Sequence, residues 1–319
     1  MVWDRIHARD GRSVPIEEWG GITYALAAAA AARASDWELV PLIKLGRDLE
    51  HRGFAFLQSI PGIELGENIR VVAEPNNQVE LRYQDHHRRL ERMSGGVPPW
   101  TWDELYPLVA DLDALYINFI SGFELDLPTT VQLRRTFDGP IYADLHSIFM
   151  GIDAGGLRIP HPLESWREWL RCFDIVQVNE EELGLLAHAW GDPWHLAADV
   201  VGDGLRLLFV TLGPRGAAYV AGPDLDGDPL QWRAGGLVRG QPLTPVGQAI
   251  SERFAPPEGE LTGDPTGCGD VWGATCFLRL LAGDSVREAV RRANDAAARN
   301  VAHRGASGLH HHLQGRLGP

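Results

Sequence analysis

The sequence predicts an α/β fold in which a mostly parallel sheet is covered by helices on both faces, and three observations carry this. Short apolar runs bounded by turn residues recur at Leu39–Leu45, Ala114–Phe119, Ile141–Leu145, Phe173–Val178 and Leu207–Leu212. Helical patterns separate them, and strand, helix, strand in series requires crossover connections, which make neighbouring strands parallel. The chain has 319 residues, close to the largest size at which one hydrophobic core serves before chains divide. A single large domain over residues 1–319 with a small appendage fits.

Element by element, Gly20-Gly21 opens an alanine-rich helix from Ile22 to Ala34, and Leu39–Leu45 is a strand that runs into Gly46-Arg47-Asp48. Residues 67–94 have a different character. Val79, Leu81 and Tyr83 alternate with Gln78, Glu80 and Arg82, the period of a strand with one wet face. A second strand near Val71-Val72-Ala73, joined through a turn at Asn76-Asn77, would complete a small β layer. Thr101-Trp102-Asp103-Glu104 reads as a capping box ahead of Leu105–Ala110, because the threonine and glutamate side chains satisfy each other's backbone amides. Helical patterns follow at Pro128–Phe137, Leu163–Arg171 and Glu181–Ala189. The Gly/Pro-rich stretch from Ala221 to Gly263 reads as a loop-rich meander. In sheets of this kind ligands gather beyond the carboxyl ends of the strands, and Asn179 and Gly213 fall there.

Hydrophobic residues make up 45% and charged residues 23% of the chain, enough for an ordinary globular core. A net charge of -14 argues against nucleic acid or an anionic membrane as partner. A nucleotide can still bind an acidic protein where backbone amides and magnesium supply positive field. Cys172, Cys268 and Cys276 have no pairing or metal spacing, which suits a reducing compartment. With no apolar run near the roughly 20 residues of a membrane span and no signal-peptide pattern, the expected location is cytoplasmic. Lys44 is the only lysine, so a phosphate loop ending in Gly-Lys-Ser/Thr is excluded. His86-His87 and His310-His311-His312 are not read as metal sites, since adjacent residues on a strand point to opposite faces.

Residues 264–270, Asp-Pro-Thr-Gly-Cys-Gly-Asp, concentrate the chemistry. Gly267 and Gly269 allow a tight turn and close backbone approach to a ligand, and the apolar run Val271–Leu278 behind them reads as a helix. Amides at that helix start, with the helix dipole, favour an anion such as phosphate. Asp270 in the first turn is out of place beside an anion unless it takes a proton from an attacking hydroxyl. Asn179-Glu180-Glu181-Glu182 and Thr211-Leu212-Gly213-Pro214-Arg215-Gly216 each follow a strand; taken alone, the first is also a capping pair and the second an ordinary hairpin turn.

These segments, in this order, resemble the ribokinase-like (PfkB-type) carbohydrate kinases, whose carboxy-terminal signature runs Asp-Thr-x-Gly-Ala-Gly-Asp. Pro265 and Cys268 stand where that signature has Thr and Ala. The resemblance implies a three-layer sandwich and a small β lid, which the segment within 67–94 would supply. It makes Asp270 the catalytic base and puts the amides of Gly267, Cys268 and Gly269 around the transferred phosphoryl group. It carries nucleotide-side roles onto Asn179, Glu182, Thr211, Gly213, Gly216, Asp264, Thr266 and Asn294, with Glu182 acting indirectly on magnesium. It carries substrate-side roles onto Asp4, Gly20, Gly21 and Asp48. The implied cofactors are ATP and Mg2+, with room for a monovalent cation near the closing segment Ala293 to Ala306 and for a homodimer through the lid.

The pattern departs in two places. Family members open with a strand that ends in Gly before the substrate Asp, whereas Met1-Val2-Trp3-Asp4 puts Asp4 in that position with most of the strand missing. Either the start is set late or the fold tolerates the loss. The sugar-binding Asn near the Gly-Gly pair is replaced by Ile22-Thr23-Tyr24-Ala25, so Thr23 or Tyr24 would serve a different substrate. The expected activity is phosphorylation of an alcohol group of a small molecule, a sugar or nucleoside. The alternative is a sugar- or nucleotide-binding regulator on the same scaffold that has lost turnover. The expected location of Cys268, between the two glycines at a helix start, also predicts a lowered thiol pKa.

Overall fold

The computed structural model describes residues 1–7, 15–83, 89–222, 225, 229–232, 249–257 and 263–315. The strands, in chain order, are β1 (Val2–His7), β2 (Ile16–Gly20), β3 (Ile43–Gly46), β4 (Ile69–Val72), β5 (Gln78–Tyr83), β6 (Arg89–Ser94), β7 (Leu115–Asn118), β8 (Ile141–Asp144), β9 (Met150–Ile152), β10 (Arg158–Pro160), β11 (Ile175–Asn179), β12 (Leu207–Thr211), β13 (Ala217–Ala221) and β14 (Ile250–Phe254). The helices are α1 (Ile22–Ala32), α2 (Glu50–Gln58), α3 (Trp102–Val109), α4 (Leu127–Thr136), α5 (Trp166–Leu170), α6 (Glu180–Leu186), α7 (Pro193–Gly202), α8 (Cys268–Leu281), α9 (Val286–Val301) and α10 (Leu309–Leu313).

The main sheet has the order β14-β13-β12-β11-β8-β7. Its members β7, β8, β11 and β12 are parallel, and β13 and β14 close it antiparallel. Alternation along the strands builds the three layers. Leu207, Phe209, Ile175 and Tyr142 turn to a core shared with α1, α8 and α9, while Leu208, Val210, Val176 and Ala143 turn to one shared with α4, α6 and α7. A strand buried on both faces has to be apolar at every position, which is why these segments were legible as continuous apolar runs. The Thr101 and Glu104 capping box forms as expected. No helix among the described residues is long and apolar enough to cross a membrane.

A second sheet, ordered β2-β1-β5-β6, stands beside the carboxyl ends of the main strands. Val2, Ile6, Val79, Leu81 and Met93 form its apolar side, against which Ile120 packs. The expected strand at 78–83 is therefore present, but its expected partner is not. Ile69–Val72 pairs in parallel with β3 instead, through Ile43↔Ile69 and Lys44↔Arg70. Nor does Asn76-Asn77 join two mutually paired strands. Asn76 is fully buried, and its side chain accepts from the Gly46 amide at 3.0 Å and donates to the Met1 carbonyl at 3.2 Å. Two buried amides satisfied by backbone groups serve here as a splice between sheets. His86-His87 and most of the Ala221 to Gly263 meander lie outside the described residues. Among the described residues no group of three or more His, Cys, Asp and Glu side chains is placed to hold a metal ion.

Candidate active site

The carboxyl ends of β8, β11 and β12, the start of α8 and the inner side of the second sheet enclose a cavity of about 290 Å3. The sequence-predicted residues Asp4, Gly21, Asn179, Glu182, Thr211 and Gly213 line it, together with Thr266, Gly267, Cys268, Gly269 and Asp270. Residues 262 positions apart along the chain (Asp4, Thr266) thus meet at one cavity.

The 264–270 loop is held from both sides. The Asp264 carboxylate accepts from the Thr266 amide at 2.9 Å and its hydroxyl at 2.6 Å, and Asn300 on α9 donates to the Thr266 carbonyl at 2.8 Å. Gly267 adopts φ +75, and a Cβ there would lie 2.3 Å from the Tyr24 ring, so both the left-handed backbone and the close approach require glycine. The Cys268 amide donates to the Pro265 carbonyl at 3.1 Å and the Val271 amide to Gly267 at 2.9 Å. Gly269 and Asp270 are the other first-turn positions, whose amides have no carbonyl four residues back within the helix.

Asp270 Oδ1 accepts a hydrogen bond from Asn118 Nδ2 at 2.7 Å, which orients the carboxylate from the end of β7. Gln177 braces the same turn. Its Nε2 donates to the Gly269 carbonyl at 3.1 Å and to Asp144 at 3.2 Å, and its Oε1 accepts from Tyr142 at 2.7 Å. Helix α8 passes so near that a Cβ on Gly273 would lie 2.2 Å from Gln177 Oε1. Loss of a hydrogen bond to a charged group is worth about tenfold in rate when it acts through orientation. Asn118→Ala is therefore expected to lower kcat by roughly tenfold while leaving KM nearly constant. Steady-state kinetics check this, and an unchanged kcat would remove Asn118 from the positioning of Asp270.

Asn179 and Glu182 form the capping box of α6. The Glu182 amide donates to Asn179 Oδ1 at 2.9 Å, and the Asn179 amide donates to Glu182 Oε2 at 2.8 Å. The structural reading of this pair thus holds, and the pair also lines the cavity. Glu182 further meets His146, Nδ1 to Oε1 2.6 Å, an ion pair in which the imidazole is 43% exposed and the carboxylate 8%. Burial opposes the charge on His146, but Glu182 and then Asp144 outweigh it and bring its pKa up to about 9. Asp144 is pushed up to about 8, first by burial and then by the charge of Asp270.

Both groups hold their protons more tightly folded than unfolded. The stability His146 contributes is complete below its ordinary 6.5 and is lost as pH rises through about 9. That of Asp144 erodes from 3.8 up to about 8. Linkage of protonation to folding then predicts that Tm falls between pH 6.5 and pH 9 and that His146→Gln makes the fall shallower. Calorimetry at the two pH values checks this; a flat or rising Tm in the native chain would contradict the ion-pair assignment.

Other expected site residues lie off the cavity. Gly20 leaves space for the Asp4 carboxylate, which a Cβ would approach to 1.9 Å. Asp48 is exposed and accepts from the Asn76 amide at 2.7 Å. Gly216, at φ +89, lies against the Phe254 carbonyl. Asn294 is buried under Trp272, accepting from its Nε1 at 2.8 Å and donating to the Ala255 carbonyl at 3.2 Å. Thr23 and Tyr24 do not reach the cavity as substrate contacts: both are buried, and Thr23 Oγ1 donates to the Gly20 carbonyl at 3.2 Å. The lowered pKa expected of Cys268 is also overturned. Burial raises it, and its thiol lies between the Ala297 carbonyl at 3.4 Å and Asn300 at 3.3 Å, so loss of hydration outweighs the helix dipole.

Sequence reasoning passed over Asn118, Asp144, His146, Gln177 and Arg158, which also border the site. Asp144 and His146 stand at the carboxyl end of β8, and the strand-end rule that found Asn179 would have found them. Arg158, buried on β10, brings a guanidinium to the cavity beside Glu91 at 3.5 Å.

A three-layer sandwich, a flanking β sheet and a glycine turn delivering a carboxylate to a strand-end cavity define a ribokinase-like protein. A family model described as pfkB family carbohydrate kinase matches residues 155–311, which supports a ribokinase-like, PfkB-type family for this chain. A pyrophosphate-dependent kinase in the ribokinase family, complexed with a pyrophosphate analog and myo-inositol, is similar over 97% of this chain and 95% of its own, at 17% identity and TM-score 0.70. Arabidopsis thaliana ribokinase complexed with ribose and ATP is similar over 99% and 95%, at 18% identity and TM-score 0.65. Burkholderia thailandensis nucleoside kinase in complex with inosine is similar over 99% and 94%, at 17% identity and TM-score 0.64. No curated protein matches the chain by sequence.

Proposed function

We propose that this chain is an ATP- and magnesium-dependent kinase that phosphorylates an alcohol group of a sugar or nucleoside, with Asp270 as the base. The family match and the similar solved structures support the kinase class. The observation that carries the reading is the position of Asp270: its carboxylate and the first-turn amides of α8 border the same cavity as Asp4 on one side and Asn179, Thr211 and Gly213 on the other. A hydroxyl held near Asp4 would give its proton to Asp270 as it attacks the terminal phosphoryl group. The amides at Gly269 and Asp270 would neutralise charge on that group, and the α8 dipole adds to the effect.

The donor set suits magnesium, which keeps several waters and binds through one or two carboxylates plus substrate phosphates. Asp144, Glu182 and Asp270 border one cavity, where burial and then the charge of Asp270 raise Asp144, and a divalent cation would offset that carboxylate repulsion. Bound there, magnesium would screen the donor phosphates. A monovalent cation fits near the closing segment, where Glu18 Oε1 is buried without a partner and burial, then the charge of Asp264, raise its carboxyl pKa.

The test is ADP release with a panel of sugars, nucleosides and vitamin alcohols under Mg-ATP. Release that depends on one class of alcohol is the expected result. Tight binding of an alcohol with no ADP formed would favour the regulator reading and remove turnover from the account.

A further inference from the structure

The face of the second sheet that meets the cavity carries two carboxylates in an otherwise apolar surface. Strand pairing sets Asp4 beside Val79 and Val79 beside Met93; in the next row it sets Ile6 beside Leu81 and Leu81 beside Glu91. Side chains two apart on a strand share a face, so Asp4 and Glu91 stand on the apolar side, with Val79 and Leu81 between them. β1 and β6 flank β5, which puts them two strand spacings, roughly 10 Å, apart. Asp4, Val79, Leu81 and Glu91 all border the cavity that holds Asp270.

Glu91 meets Arg158 of β10, which borders the same cavity. The side chains are 11% and 3% exposed, yet Nη1 and Oε2 approach only to 3.5 Å. Arg158 also donates to the Ile120 carbonyl at 3.3 Å and to that of Ser121 at 3.5 Å. A formed charge-assisted bond measures about 2.7–2.9 Å, and Arg134 meets Asp174, and Arg279 meets Asp284, at 2.7 Å. Two charges buried at 3.5 Å lose hydration without gaining a full bond, so an apolar pair would hold β6 to β10 at least as well. The Met93 amide, donating to the Gly156 carbonyl at 2.8 Å, already joins β6 to that hairpin.

We propose that Glu91 and Arg158 form a second hydroxyl-binding clamp, across the acceptor from Asp4, which selects a single-ring polyol over a nucleoside. This rests on reading the cavity as the alcohol's site. The C–H face of such a ring lies on Val79 and Leu81, hydroxyls on one edge reach Asp4, and hydroxyls on the opposite edge reach the pair. A vicinal diol matches the pair's chemistry: the carboxylate accepts from one hydroxyl, and the guanidinium, a donor only, gives to the neighbouring oxygen. Size agrees with this. Drug-sized ligands occupy pockets of about 300–1,000 Å3, whereas about 290 Å3 here has to take the donor's terminal phosphoryl group as well as the acceptor.

The experiment measures binding without ATP, by titration calorimetry with myo-inositol, D-glucose and inosine, and then with deoxy forms of the tighter-binding polyol. That polyol is expected to bind at least about tenfold more tightly than inosine, since a lost hydrogen bond to a charged group costs about 10- to 100-fold. The same loss is expected for deoxy forms at two opposite edges of the ring and not at the positions between them. Glu91→Gln is expected to remove the discrimination at one edge and to keep it at the other, the coupling that a double-mutant cycle reads. Absence of binding by either polyol, inosine binding as tightly as both, discrimination confined to one edge of the ring, or discrimination at both edges that survives Glu91→Gln would overturn the proposal. Should Glu91→Gln fail to fold, the deoxy series on the native chain decides. Binding with the two-edged pattern but no ADP on addition of Mg-ATP would support the clamp and count against turnover alone.

Discussion

Asp270→Asn is expected to lower turnover by about 100-fold or more, the usual consequence of losing a general base, with ATP affinity nearly unchanged. Asparagine keeps the size of the side chain and its bond partner, so Asn118 at 2.7 Å still has an oxygen to meet. The fold and the α8 amides stay in place, and only the proton acceptor is removed. Steady-state kinetics with a binding titration check this. Turnover near that of the native chain would sink the base assignment, and weakened ATP binding alone would make Asp270 a structural residue.

The second large effect is expected at Gly267. An alanine there would have to hold φ +75 and place its Cβ 2.3 Å from the Tyr24 ring, which helix α1 packs into the core. Left-handed backbone at a non-glycine residue costs about 1–3 kcal/mol, and the ring cannot retreat because its surroundings are close-packed. Gly283→Ala is the comparison, since Gly283 has φ +88 with nothing within 4 Å of the added Cβ. Gly267→Ala should lose more stability than Gly283→Ala, by an amount that reports the clash alone, and should lose activity as the first-turn amides move. Equal losses measured by denaturant unfolding would mean that the loop relaxes away from Tyr24.

What was legible in the sequence follows from how local each signal is. The apolar runs at 141–145, 173–178 and 207–212 became strands within a residue or two because a strand buried on both faces is apolar at every position. The glycine turn at 264–270 and the capping pairs at Thr101 and Asn179 are likewise short-range, and they formed. Strand order was not legible. The alternation at 78–83 announced a half-wet strand but not that its neighbours would be β1 and β6, and Ile69–Val72 went to β3 through parallel pairing that no local pattern encodes. The same limit hid Asn118 and Gln177. Asn118 reaches Asp270 across 152 positions of chain, and only the adjacency of β7, β8 and β11 brings them together. Burial defeated two further expectations, since Tyr24 turned inward to support Gly267 and Cys268 lost the hydration a thiolate needs.

The central claim is that the cavity at Asp270 moves a phosphoryl group from ATP to an alcohol. Phosphorus NMR of Mg-ATP with the alcohol that gives the strongest ADP signal, run in parallel on the native chain and on Asp270→Asn, tests it most directly. The account predicts a phosphate monoester and ADP growing in equal amounts with the native chain and neither with the variant. Inorganic phosphate and ADP without an ester, or an ester formed equally fast by the variant, would contradict it.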